Sequence, residues 1–112
     1  MARTYSQLPR VSFSILLALS LKPRHGYEII KQVKEDSGGR IKLSPGALYA
    51  SIKQLNEHRL IEEIDEPTDS RRRYYRLTPQ GKKMLNTELE YYKNTVELGR
   101  KRQILSIETF YG

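Results

Sequence analysis

Two stretches of this sequence concentrate side chains able to meet a phosphate. Residues 70–76 read SRRRYYR, with Arg71, Arg72, Arg73 and Arg76 gathered around Tyr74 and Tyr75. Residues 43–55 read LSPGALYASIKQL, where Ser44, Pro45 and Gly46 open a helical pattern that carries Ala47, Tyr49, Ala50 and Lys53, with Lys42 just upstream. Guanidinium groups neutralise phosphates and are drawn into the negative potential of a minor groove. A helix start built of small residues lets backbone amides come close to a phosphate or a base edge.

The catalytic inventory is poor by comparison. His25 and His58 fall on different predicted elements, no glycine-rich phosphate loop follows a strand, and no metal-ligand spacing is present. The chain has no cysteine, which removes disulfides, thiolate nucleophiles and sulfur-bound metals together and makes the reducing cytoplasm the default expectation. Glu62, Glu63, Asp65, Glu66 and Asp69 lack the ligand order, central glycine and closing glutamate of a calcium-binding EF-hand. Neither enzyme activity nor a metal or cofactor is expected. His25, beside Gly26 and Tyr27, reads as a turn residue.

At 112 residues the chain has room for one domain with a modest core. Its 20 Lys plus Arg exceed its 13 Asp plus Glu, and the net charge of +7 favours a polyanion, either nucleic acid or an acidic membrane surface. The apolar run VSFSILLALSL at 11–21 imitates a signal peptide after Arg3 and Arg10, but lacks a small-x-small cleavage site before Lys22 and Arg24. At about 11 residues it falls far short of the ~20 that span a bilayer, so no membrane partner is expected. It reads instead as a buried helix, apolar on nearly every side, that touches more than one neighbour.

The elements that must position the two basic stretches follow from local chemistry. A first helix is predicted over 9–21, with Pro9 tolerated in its opening turn and Lys22-Pro23 ending it. A second, over 26–35, buries Ile29, Ile30 and Val33 and stops at Ser37-Gly38-Gly39. Ser44 caps a third helix and Pro45 supplies its first residue with φ already set; Leu48, Ile52 and Leu55 form its buried stripe, opposite Gly46, Ala50 and Lys53. Residues 60–65 and 72–77 read as a β-hairpin around the turn-rich EPTDSR, with an acidic first arm and a basic second one. Alternation turns Tyr75 and Leu77 inward and Tyr74 outward.

Thr78-Pro79 repeats the cap-then-proline signal and opens a last helix whose Leu85, Leu89, Tyr92, Val96 and Gly99 make a seam. Continued to about residue 108 it would be on the order of 45 Å long, more than a domain of this size covers by itself. Gly99 is either a close-contact point or a break. Three helices and a hairpin form a winged helix-turn-helix, in which the third helix enters the major groove of DNA, and the long helix is left spare.

HGYEIIK at 25–31, LSPGALYASIKQL at 43–55, LIE at 60–62 and RRRYYRLTPQGKKML at 71–85 together closely resemble the PadR-like transcriptional regulators of bacteria. The resemblance implies a homodimeric winged-helix repressor that binds a pseudo-palindromic operator in double-stranded DNA, with release by a small molecule in some members. The fold class is then mainly α with a small β-hairpin: a winged helix-turn-helix DNA-binding domain over 1–78 and a C-terminal dimerisation helix over 79–112, one continuous folded unit. Residues expected at DNA are Lys42, Ser44, Pro45, Gly46, Ala47, Tyr49, Ala50, Lys53, Arg71, Arg72, Arg73 and Tyr74. The implied dimer interface joins Phe13 and Leu17 of the first helix to Leu85, Leu89, Tyr92 and Val96 of the last. Tyr92 best matches a position where similar regulators hold a large aromatic against flat aromatic effectors, so a small aromatic ligand is an implied partner.

The chain departs from that pattern in two places. Arg59 stands where a glycine usually follows the third helix, so the helix must end with a different geometry or with strain. Ala47 and Ala50 replace threonine and proline, which alters the contact face and leaves the operator sequence open. The alternative reading, from another class, is a ligand-sensing or protein-interaction module with the same fold and no specific DNA site.

Overall fold

The computed structural model describes residues 8–105. The chain forms α1 (Arg10–Leu19), β1 (Arg24–His25), α2 (Gly26–Asp36), α3 (Pro45–Glu57), β2 (Ile61–Ile64), β3 (Tyr74–Leu77) and α4 (Pro79–Lys101). The strands make one antiparallel sheet in the order β1-β3-β2.

Helix starts follow the predicted chemistry. The Ser44 hydroxyl accepts the Ala47 amide at 3.1 Å, and the Thr78 hydroxyl accepts the Gly81 amide at 2.9 Å, each with proline next in the chain. The end of α2 also matches expectation: Gly38 and Gly39 take φ of 63° and 85°, and the Gly39 amide returns to the Lys34 carbonyl at 2.8 Å.

The core is built where these elements converge. Ile15 and Leu16 of α1, Ile29 and Val33 of α2, Leu48 and Leu55 of α3 and Ile61 of β2 are fully buried, with Tyr75 and Leu85 closing the sides. Each such side chain contributes about 1.5–3 kcal/mol by leaving water. Near the start of the described chain, the Leu8 amide donates to the buried Glu88 carboxylate, which fastens the segment before α1 to α4.

Four features differ from the sequence reading. First, α1 ends at Leu19 rather than residue 21, with the Ser20 amide turning back to the Leu17 carbonyl at 3.2 Å. The buried Arg24 side chain then donates to the Ala18 carbonyl at 2.9 Å, satisfying an acceptor that the helix end leaves open. Second, the hairpin is extended to three strands, because Arg24 and His25 pair with Tyr75 and Tyr74. His25 is therefore a buried strand residue and the N-cap of α2, not a turn residue. Third, the strands are shorter than the predicted 60–65 and 72–77, since the Asp69 amide folds back to Glu66 and keeps the tip out of the ladder.

Fourth, α4 stops at Lys101 instead of running toward residue 108. It passes through Gly99, whose carbonyl receives the amides of Ile104 and Leu105 at 3.0 and 3.3 Å, while Gln103 takes a left-handed φ of 63°. Its 23 residues give a length of about 35 Å. Residues 106–112, Glu108 among them, lie outside the described residues.

Arg59 carries the strain its position implied. It sits at φ 59°, and the Leu60 amide reaches back to the Leu55 carbonyl at 2.9 Å, so the helix closes as it would with glycine, at a cost of roughly 1 kcal/mol for the side chain.

Among the described glycines, Gly81 leaves the least room for a side chain. A β-carbon there would lie 2.0 Å from the Leu60 carbonyl oxygen and 2.9 Å from both the Leu60 carbonyl carbon and a Leu77 methyl. Backbone cannot give way as a side-chain tip can. Gly81→Ala is expected to lower the unfolding free energy in urea by on the order of 3 kcal/mol or more, whereas a loss under about 0.5 kcal/mol would contradict the packing described.

Candidate nucleic-acid interface

The helix-turn-helix holds α3 through Leu48, Ile52 and Leu55, and this fixes which face is left outside. Ser44, Pro45, Gly46, Ala47, Tyr49, Ala50 and Lys53 are all exposed, as is Lys42. Gly46 is informative because its own chain gives no reason for it. A β-carbon there would meet nothing closer than the Ser44 hydroxyl at 4.0 Å, and its φ is not left-handed.

The wing brings a second group of predicted residues alongside. Arg71, Arg72 and Arg73 are exposed on the approach to β3. Arg72 is held from two sides, its terminal nitrogen 2.7 Å from His25 Nε2 and its Nε 3.5 Å from Asp69 Oδ2. Tyr74 is half-buried and already engaged, because its hydroxyl donates to Asp69 Oδ2 at 3.2 Å and its ring meets the His25 ring edge-on at 5.3 Å. Arg76 pairs at 3.0 Å with Glu62 across the hairpin.

His25 is the hinge of this arrangement. Its Nδ1 lies 3.3 Å from the Glu28 amide while the Glu28 carboxylate accepts the His25 amide at 3.2 Å, a capping box with histidine in the place usual for serine or threonine. A neutral imidazole has one acceptor nitrogen, and a guanidinium can only donate. The Glu28 amide and Arg72 thus compete for one lone pair, and the shorter contact belongs to Arg72.

Between wing and helices lies a cavity of about 410 Å³ lined by His25, Gly26, Tyr27, Tyr49, Arg71, Arg72 and Arg73. It joins Tyr49 of the 43–55 stretch to the three arginines of the 70–76 stretch. Tyr27, 74% exposed beside those arginines, was not among the residues expected at the interface, nor were His25 and Gly26. The spacing of His25 and Glu28, three apart at the start of a helical pattern, was the signal available for the N-cap role of His25.

A second surface lies on α1 and α4. Phe13 and Tyr92 meet edge-to-face at 5.2 Å, and Tyr91 meets Tyr92 at 5.5 Å. Leu17 and Val96 are half-buried, and Leu89 stays exposed. Leu85, also on the predicted seam, is 5% exposed and packs in the chain's own core. Among the described residues no cluster of histidine and acidic side chains is suited to a metal, and no helix is long and apolar enough to cross a membrane.

The Tyr74 hydroxyl is pushed above its usual range, first by burial and then by its hydrogen bond to Asp69. A folded value above the unfolded one means that the contribution is fully present below the unfolded value and lost as pH rises through the folded one. Stability is therefore expected to fall above about pH 10, and less so in Tyr74→Phe, as followed by thermal melts across the alkaline range. Parallel pH profiles for the two proteins would contradict this assignment.

Comparison with known proteins agrees with the geometry. The model of the transcriptional regulator PadR-like family matches residues 15–87, from the middle of α1 through the helix-turn-helix and wing into α4. The chain is 36% identical over 74 residues to a 37.1 kDa protein in transposon TN4556 of Streptomyces fradiae, a match spanning 66% of this chain but only 20% of that protein. It is 31% identical over 88 residues to protein X of Lysinibacillus sphaericus, spanning 76% of this chain and 81% of that one. A PadR family transcription regulator from Clostridium difficile R20291 is similar at a TM-score of 0.73 and 26% identity, over 85% of this chain and 99% of the other. Members of this family are transcriptional regulators and not enzymes. With the family model matched over residues 15–87 and the fold shared with a solved member, the chain belongs to the PadR-like family of transcriptional regulators.

Proposed function

We propose that the protein is a homodimeric repressor that reads a pseudo-palindromic operator. Each α3 enters a major groove with Ser44 to Lys53 facing the bases, the two copies lying about one helical turn apart. Arg71, Arg72 and Arg73 hold the flanking phosphates, with Lys42 adding charge. Residues 1–78 form the reading unit and 79–112 the dimerisation element, and the setting is the cytoplasm. Phe13, Leu17, Leu89, Tyr92 and Val96 supply the contact between copies, and the ring cluster around Tyr92 is where a small aromatic effector would act.

The observation that carries this reading is Gly46. A glycine in a helix costs up to roughly 1 kcal/mol relative to alanine, the full amount applying to the interior, and here neither space nor φ within the chain calls for one. Its missing side chain is of use to something that approaches from outside, at the end of a helix whose first three residues are exposed.

Gly46→Leu is accordingly expected to melt no lower than wild type while losing at least about tenfold in affinity for the site that footprinting defines upstream of its own gene. Equal affinity of the wild type for that DNA and for random duplex would replace this reading with a ligand-sensing or protein-interaction module. Leu89→Glu tests the assembly: sedimentation velocity should show a monomer and operator binding should be lost with it, and a wild type that sediments as a monomer would remove the two-half-site arrangement.

A further inference from the structure

Gly26, the first residue of α2, has no side chain, and the space is filled by another element. A β-carbon built on Gly26 would lie 2.5 Å from the Tyr49 hydroxyl oxygen, 3.1 Å from Tyr49 Cζ and 3.2 Å from a Leu48 methyl. The φ of Gly26 is not left-handed, so backbone conformation does not call for glycine. Tyr49 is 49% exposed, and with its hydroxyl over Gly26 its ring borders the arginine-lined cavity.

We propose that Gly26 is a specificity-determining position: its missing side chain seats the Tyr49 ring across the start of α2, so that α3 presents one fixed aromatic group beside its alanines. This rests on the reading of α3 as the DNA-facing helix. On a face otherwise made of Gly46, Ala47 and Ala50, with Gln54 at its flank, Tyr49 and Lys53 are long side chains available to discriminate bases. A ring with two torsions, already seated, loses little freedom when it meets DNA. A methyl at Gly26 displaces the far end of a flexible side chain, which disturbs the fold little but moves the ring away from its seat.

The test is a double-mutant cycle on Gly26→Ala and Tyr49→Ala, reading the ratio of operator to random-duplex affinity and the melting midpoint of all four proteins. Gly26→Ala should lower the ratio about tenfold in the Tyr49 background and by less than about twofold once Tyr49 is alanine. The Leu48 contact is common to both backgrounds and cancels. An equal loss in both, or an unchanged ratio in the Tyr49 background, overturns the proposal. So does loss of folding in both glycine variants, because the element refusing the methyl would not be Tyr49; loss of folding rescued by Tyr49→Ala supports the seat. If Tyr49→Ala alone leaves the ratio unchanged, the DNA-facing role of Tyr49 fails first, and the proposal fails with it.

Discussion

Thr78 joins three parts of the molecule through three hydrogen bonds. Its hydroxyl accepts the Gly81 amide at 2.9 Å and donates to the Arg59 carbonyl at 2.7 Å, while its own amide donates to the Leu60 carbonyl at 3.1 Å. One residue thereby fixes the close of α3, the foot of the wing and the start of α4. The left-handed Arg59 and the bare Gly81 follow from it, since the chain must turn sharply and two backbones must touch. In a dimer assembled through α4, this junction would set the distance between two copies of α3, which is the quantity that half-site spacing reads.

The charges of the wing are arranged to be held without being locked. Arg72 is 59% exposed and Asp69 26%, so their 3.5 Å pair contributes little to stability in water. What the pair and the His25 contact do is orient the guanidinium before anything binds it. Glu62 pairs with Arg76 on the far arm, the arginine of β3 that lies outside the cavity lining.

Helix starts were readable in the sequence because capping is chemistry between residues three apart: Ser44 with Ala47 and Thr78 with Gly81 need no tertiary context. The β1 strand was not, because two residues carry no alternation, and Arg24 and His25 become a strand only when β3 offers them partners. The end of α4 was hidden for a related reason. Gln103, not glycine, takes the left-handed turn, so no residue type announces the stop. Leu85 shows the limit of periodicity, which identifies a buried stripe but not whether the chain's own core or another copy covers it. Of the candidate site, both basic stretches were visible, yet their junction at His25 and Gly26 depends on a space shared with Tyr49, 23 positions further along the chain than Gly26.

Charge and shape divide the work of recognition unequally here. A net charge of +7 attracts any duplex through its phosphates and carries no sequence information. On the proposed docking, discrimination falls to a helix face with few side chains long enough to reach a base edge, so much of it must come from how closely the backbone can approach and from how the duplex deforms to meet it. Such a reader is governed by the placement of α3 more than by its inventory of polar groups. Contacts that only position, at Thr78, Gly81 and Gly26, then bear on the choice of DNA although none of them need touch a base.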